Sequence, residues 1–318
     1  MRTALLILGM HRSGTSAFAG AVSKLGLELG GPLLRGHKGI NPKGYFENEA
    51  VHDFHEDVLH DLNSRWDDLL PLPAGWPTQT RRDRLAWLIE TQFGEAPLFA
   101  VKDPRLGRLL PLWRQVLEQE EIQAKAIICL RPPEAIVASL RQRDGFCEEK
   151  SLHLFLDHLL QIERVTRDLP RRVLSYSDFT QEPVAQLQAL GHSLSIDWPF
   201  QPLDRAQTIN GFIEPGLDHS SKTSPLLESE RAQLAQRLYD CLMKTGAGTE
   251  STDEFELIFR QFEDINRRFD PALTDDLAQQ NARLTGLQTE NRKTMALTTW
   301  KLTTPLRALE RRLRRSRQ

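Results

Sequence analysis

The sequence predicts an α/β domain, a parallel sheet flanked by helices, across residues 1–270, with a helical extension across 271–318. Three features predict it. Short strand-like runs at 4–8, 98–101, 125–130 and 171–175, apolar but for Lys125, Arg171, Arg172 and Ser175, alternate with stretches of helical spacing, which is how parallel strands and crossover helices read. The first run passes directly into a glycine-rich octapeptide and a helix. The C-terminal stretch loses the alternation and ends in arginines.

Ala4-Leu5-Leu6-Ile7-Leu8 has no polar member and reads as a buried strand. In Gly9-Met10-His11-Arg12-Ser13-Gly14-Thr15-Ser16 the glycines permit close backbone approach, and the helix that follows aims its positive end at one point, a site for phosphate. Residues 26–39 and Asn41-Pro42-Lys43-Gly44-Tyr45-Phe46-Glu47-Asn48 hold turn formers without a period and read as loop. Val51, Phe54, Val58 and Leu62 space a helix over 49–62. Its histidines, His52, His55 and His60, lack the H-E-x-x-H arrangement, so no metal is expected. Prolines make 71–80 an irregular connection before a helix over 81–93. The strand at 98–101 ends in Lys102-Asp103-Pro104-Arg105, polar groups at the carboxyl edge where open parallel sheets bind ligands. The third strand runs into Arg131-Pro132-Pro133-Glu134 and a helix over 135–143, whose first turn suits prolines and a glutamate. The fourth is closed by Tyr176-Ser177-Asp178-Phe179, and a helix follows Pro183 up to about Leu190. Beyond residue 200 the chain reads as loop, then as helices over 228–244 and 253–269, and Pro271 ends the domain.

The octapeptide nearly fits the G-x-x-x-x-G-K-[ST] loop of nucleotide triphosphatases, but Thr15 stands where that loop needs lysine, and Arg12 is its only cation. The stretch R-S-G-T-S instead resembles the loop that holds the 5′-phosphosulfate of 3′-phosphoadenosine 5′-phosphosulfate (PAPS) in sulfotransferases. A second stretch, Cys129-Leu130-Arg131 through Ser139, matches that family's 3′-phosphate motif, an arginine at a strand end and a serine eight residues on. The chemistry agrees, because an arginine fork takes a terminal phosphate bidentately and a serine on the next helix reaches the same oxygens. Residues 1–270 thus resemble the bacterial branch of the PAPS-dependent sulfotransferases, a resemblance that implies a P-loop NTPase-like sulfotransferase fold, PAPS as sulfuryl donor, and His11, Arg12, Ser13, Gly14, Thr15, Ser16, Arg131, Ser139 and Tyr176 as its binding residues. Tyr176 either lies against adenine or caps the core with its hydroxyl in water.

Sulfuryl transfer needs cations on the leaving phosphate and a base on the acceptor hydroxyl. Arg12 and Lys102 suit the first task. Lys102 matches the lysine of the K-T-H motif in cytosolic members of the family, but Pro104 replaces its histidine, so the base comes from elsewhere. Glu47 is the first candidate, by resemblance to branches that use glutamate, and Asp103 is the competitor; Glu47 reads equally as a carboxylate at the start of the helix over 49–62. Two other classes stay open: a P-loop kinase or nucleotide hydrolase with Asp103 on Mg²⁺, and a nucleotide-binding scaffold without turnover.

Composition is ordinary for a globular protein, 40% hydrophobic and 26% charged, with a net charge of −2. The cysteines, Cys129, Cys147 and Cys241, show no metal spacing and read as reduced. With no run of eighteen apolar residues, the expected location is cytoplasmic, and no nucleic-acid partner is expected. Residues 301–318 carry net +6 and leave −8 for the rest. Leucines at 273, 277, 284 and 287 give a partial heptad pattern and a possible weak homo-oligomer through 273–291. Trp300-Lys301-Leu302-Thr303-Thr304-Pro305-Leu306-Arg307 resembles tails of bacterial glycan-assembly glycosyltransferases, which implies a glycan or glycolipid acceptor. The leucine and arginine stripes suit peripheral contact with an anionic membrane at its inner face.

Overall fold

The structure, a computed structural model, describes residues 2–36, 43–213, 225–226, 228–245, 252–268 and 271–296. The chain begins with β1 (Thr3–Leu8), α1 (Thr15–Lys24), α2 (Glu49–Asp61) and α3 (Gln79–Phe93), then β2 (Leu98–Lys102), α4 (Leu106–Gln119), β3 (Gln123–Leu130), α5 (Pro133–Asp144) and α6 (Glu148–Thr166). It continues with β4 (Arg171–Ser175), α7 (Tyr176–Gln181), α8 (Pro183–Leu194), α9 (Ala206–Phe212), α10 (Glu230–Thr245), α11 (Thr252–Arg267) and α12 (Pro271–Ala296). Among the described residues the four strands form one parallel sheet in the order β2-β1-β3-β4.

Successive side chains of a strand point to opposite faces, and β1 shows the consequence. Ala4, Leu6 and Leu8 join a core built with α2 to α6, α10 and α11, while Leu5 and Ile7 join a second core with α1, α7, α8 and α9. Both faces are covered, which is why β1 and the second half of β3 read as continuous apolar runs. From β1 the chain crosses to β2 on one side and then to β3 on the other, so the order reverses between β1 and β3. The carboxyl ends of these two strands frame a crevice of the kind in which open α/β sheets bind ligands.

Several elements differ from the sequence expectation. The sequence reading names no helix at α4 or α6. Pro111 and the run Leu109-Leu110-Pro111-Leu112-Trp113 blur α4, and α6 is buried on most of its circumference, from Leu152 to Thr166. Tyr176 to Phe179 open α7 rather than extend the strand, because the Ser175 hydroxyl accepts from the Asp178 N–H as an N-cap. Helix α9 occupies part of the stretch read as loop, and α8 continues to Leu194.

The boundary at Pro271 is the first residue of α12, and that helix touches the domain through polar groups. Asn281 Nδ2 donates to Asp68 Oδ1 (2.8 Å), His60 Nε2 lies 2.6 Å from Thr289 Oγ1, and Thr285 is buried. Leu277, Leu284 and Leu287 are exposed. The basic tail, with Trp300 and the arginines, lies outside the described residues. No helix among the described residues is long and apolar enough to cross a membrane.

Candidate functional site

The residues that follow β1 and β3, the last residue of β2 and the first of α7 converge on a cavity of about 940 Å³ at the carboxyl edge of the sheet. Its first wall is the loop 9–16. A Cβ on Gly9 would stand 2.7 Å from the Cys129 carbonyl, so only glycine lets β1 leave the sheet beside β3. Gly14 is the N-cap of α1 at φ 96°, and a Cβ there would collide with the Tyr176 ring. No side chain caps this helix and no acidic residue lies in its first turn. The first N–H groups, which have no intrahelical partner, therefore suit an anion.

Cations crowd the same space. Arg12 takes a left-handed backbone, φ 74°, and its Nε donates to Ser139 Oγ at 2.7 Å. Arg131, just past β3, lies with its guanidinium 5.0 Å from the Tyr176 ring centroid. Arg143 follows Ser139 by one turn of α5 and lines the cavity too. Burial, then Arg143 and Arg131, push the Arg12 guanidinium below its ordinary range. Like charges gathered this closely are costly unless an anion joins them, and such clusters mark functional sites.

Lys102 closes the floor. Its ammonium donates to Glu47 Oε1 at 2.5 Å, to Ser16 Oγ at 3.0 Å and to the Tyr45 carbonyl at 3.0 Å, and both ion-pair partners are buried. Glu47 does not cap α2; the Asn48 side chain does, accepting from the Val51 N–H. Glu47 is thereby left to the cavity, with Arg105 Nη1 3.8 Å from its second oxygen. Gly44 and Phe46 both hold positive φ, 109° and 56°, so the short loop turns sharply enough to present the Tyr45 carbonyl and the Glu47 carboxylate to one ammonium.

Asp103 goes elsewhere. Its carboxylate is fully buried, does not line the cavity, accepts from the Arg105 N–H (2.7 Å) and Nη1 (3.1 Å), and lies 3.2 Å from His55 Nδ1. His55 Nε2 accepts from the Trp113 indole at 2.8 Å, which places the neutral ring's proton on Nδ1, toward Asp103. Burial raises the Asp103 pKa, but Arg105 and then His55 outweigh it and hold the carboxyl well below the usual range.

His11 lines the cavity with its ring centroid 3.9 Å from that of Trp66, and its Nε2 is buried with no hydrogen-bond partner among the described residues. Burial, then Arg105 and Arg143, keep this imidazole far below its ordinary pKa and hence neutral. Ser13 is buried beneath Gly9 and does not line the cavity, whereas Gly14, Thr15 and Ser16 do. Of the candidate residues, then, the structure brings together His11, Arg12, Gly14, Thr15, Ser16, Glu47, Lys102, Arg131, Ser139 and Tyr176, and sets Ser13 and Asp103 apart. Sequence reasoning places Arg105 at the ligand edge without a role and misses Arg143, Trp66, Phe46 and Phe212. Among the described residues no group of His, Cys, Asp and Glu could hold a metal ion.

No protein-family model matches the chain, and no curated protein matches it. A similar solved structure is the sulfotransferase domain from the olefin synthase of Synechococcus PCC 7002, 18% identical, with a TM-score of 0.45, covering 74% of this chain and 94% of that one.

Proposed function

We propose that the protein transfers a sulfuryl group from PAPS to a hydroxyl of a carbohydrate. The observation that carries this reading is the convergence of Arg12, Arg131, Arg143 and Lys102 on one uncapped helix end, in a loop without the lysine of nucleotide triphosphatases. The buried, unpartnered His11 Nε2 and the two glycines, whose Cβ atoms would strike neighbours, fit a loop shaped for close approach of a ligand. PAPS supplies an activated sulfur and two phosphate groups, and the cluster holds cations for both, with the Arg12–Ser139 hydrogen bond joining the two places. Arg131 and Ser139 would take the 3′-phosphate, with Tyr176 beside the adenine, and Arg12, Lys102 and the first N–H groups of α1 the 5′-phosphosulfate.

Glu47 would then accept the proton of the acceptor hydroxyl while the acceptor oxygen forms its bond to sulfur. The bond from sulfur to the 5′-phosphate oxygen breaks, and Lys102 and Arg12 neutralise the charge left on that oxygen. Glu47 suits this better than Asp103, which its buried partners hold ionised and away from the cavity. The same sequestration argues against Asp103 as a Mg²⁺ ligand in a kinase. For the acceptor, Trp66 offers an apolar face with Gln142 and Asp144 nearby to bond hydroxyls, which suits a sugar. The basic tail would bring the enzyme to an anionic membrane surface carrying a glycan or glycolipid.

The test is direct. Titration with PAPS, ATP and 3′,5′-ADP, with transfer to candidate glycans followed by label from PAPS, is expected to show binding of both 3′-phosphorylated nucleotides and turnover of PAPS alone. Hydrolysis of ATP would place the protein among the kinases and hydrolases, and binding without any turnover would make it a scaffold.

A further inference from the structure

An ammonium has three hydrogens to donate, and in this structure Lys102 uses all of them, on Glu47, Ser16 and the Tyr45 carbonyl. Lys102 cannot reach a phosphate oxygen without giving one up. The three are not equally easy to release. The Tyr45 carbonyl is fixed by the sharp turn of its loop, and the Ser16 hydroxyl belongs to the first turn of α1. Glu47 alone has a second cation waiting, because Arg105 Nη1 lies 3.8 Å from its other oxygen. Arg105 is itself held in place, by Asp103 on one side and Glu56 on the other. Glu47 can therefore leave Lys102 without becoming an unpaired buried charge, the outcome that makes breaking most buried pairs expensive.

We infer that the Lys102–Glu47 pair is a latch opened by the sulfuryl donor, an inference that rests on the function proposed above. The donor's 5′-phosphate takes Lys102, Arg105 retains Glu47 through one oxygen, and the other oxygen is bared to the acceptor hydroxyl. Arg105 becomes a positioning residue, oriented by Asp103, and the base is masked until the donor is in place. Binding is ordered, donor before acceptor.

The latch makes a prediction that a simple base does not. If Glu47 competes with the donor for Lys102, removing its charge must tighten the donor while abolishing transfer. Glu47→Gln, which keeps shape and an acceptor oxygen, is expected to bind 3′,5′-ADP about tenfold more tightly than the wild type in calorimetric titration, the equivalent of one charge-assisted hydrogen bond no longer contested. Adenosine 3′-phosphate, which has no group to reach Lys102, is expected to bind both proteins equally. Glu47→Ala, checked for folding by its thermal melt, should repeat the result. Unchanged or weaker binding of 3′,5′-ADP by the folded variants overturns the latch while leaving the sulfotransferase reading intact. Equal tightening of both nucleotides also overturns it, since that reports only the lost negative charge. If the wild type binds neither nucleotide, the function itself fails and the latch with it.

Discussion

The end of the cavity proposed to hold the donor, formed by residues 9–16, Arg131, Ser139 and Tyr176, is assembled from the carboxyl ends of β1 and β3 and the first residues of α1, α5 and α7. The other end is assembled from loops, 43–47 and 62–70, with Phe212 at the close of α9. Hydrogen-bonded register fixes the first set, since Leu8 pairs with Ile128 and Leu130 with Ser175. Side-chain packing fixes the second, through the edge-to-face Phe46–Phe212 pair and the Trp66–His11 and Trp66–Phe146 ring contacts. The sheet edge makes the first set rigid, and the loops make walls that can vary without disturbing the core.

The contrast is broken most severely at Glu47, where the two ends meet. Glu47→Gln should lower turnover by about 10²-fold to 10⁴-fold, with donor binding at least as tight as in the wild type, in a transfer assay at saturating PAPS. A mutant that stays active, beside an Asp103→Asn that is folded and dead, would move the base to Asp103. At the donor end, Arg131→Ala should weaken PAPS and 3′,5′-ADP by roughly 2 to 5 kcal/mol, about thirtyfold to several thousandfold, and leave adenosine 5′-phosphosulfate nearly unchanged. Equal losses for the two kinds of nucleotide would show that Arg131 supports the fold rather than the 3′-phosphate.

Behind the loops lies a pH-sensitive support. His158 on α6 donates from Nε2 to the Trp66 carbonyl at 3.0 Å, and burial drives its pKa down from 6.5 to about 4. The folded state keeps this ring neutral while the unfolded state protonates it below pH 6.5. Stability is therefore undiminished above pH 6.5 and falls as pH drops toward 4, by roughly 3 kcal/mol in total at about 1.4 kcal/mol per unit. Thermal melts across that range should show the slope, and His158→Gln, which keeps an amide within reach of the Trp66 carbonyl, should flatten it.

The same contrast explains what the sequence makes legible. Arg12, Lys102, Arg131 and Tyr176 each sit within a few residues of an apolar run, so a strand assignment alone brings them to one edge. Trp66, Phe46 and Phe212 stand in stretches with no period, and nothing in their spacing predicts that they line one cavity. Arg143 is an intermediate case, because it follows Ser139 by four residues and shares its helix face, a spacing that would have found it. Asp103 next to Lys102 shows the limit of adjacency. Neighbours at the end of a strand point to opposite sides, so the lysine enters the cavity and the aspartate enters the core, where His55 and Arg105 receive it. The polar docking face of α12 is invisible to a search for leucines.

The smallest expected effect belongs to Trp66, and it separates the two ends most cleanly. Its indole lines the cavity, packs on His11 and Phe146, and lies under the Arg143 guanidinium at 5.2 Å, so it is held from several directions by groups that remain when it is removed. Ring contacts of this kind contribute about 0.5 to 1.5 kcal/mol beyond the area they bury. If the acceptor rests on this wall, Trp66→Leu should raise its KM by up to about tenfold, with kcat and the affinity for 3′,5′-ADP changed less than about twofold. Loss of nucleotide affinity instead would mean that Trp66 acts through His11 on the phosphate loop, and the boundary between the two ends would then run on the far side of that tryptophan.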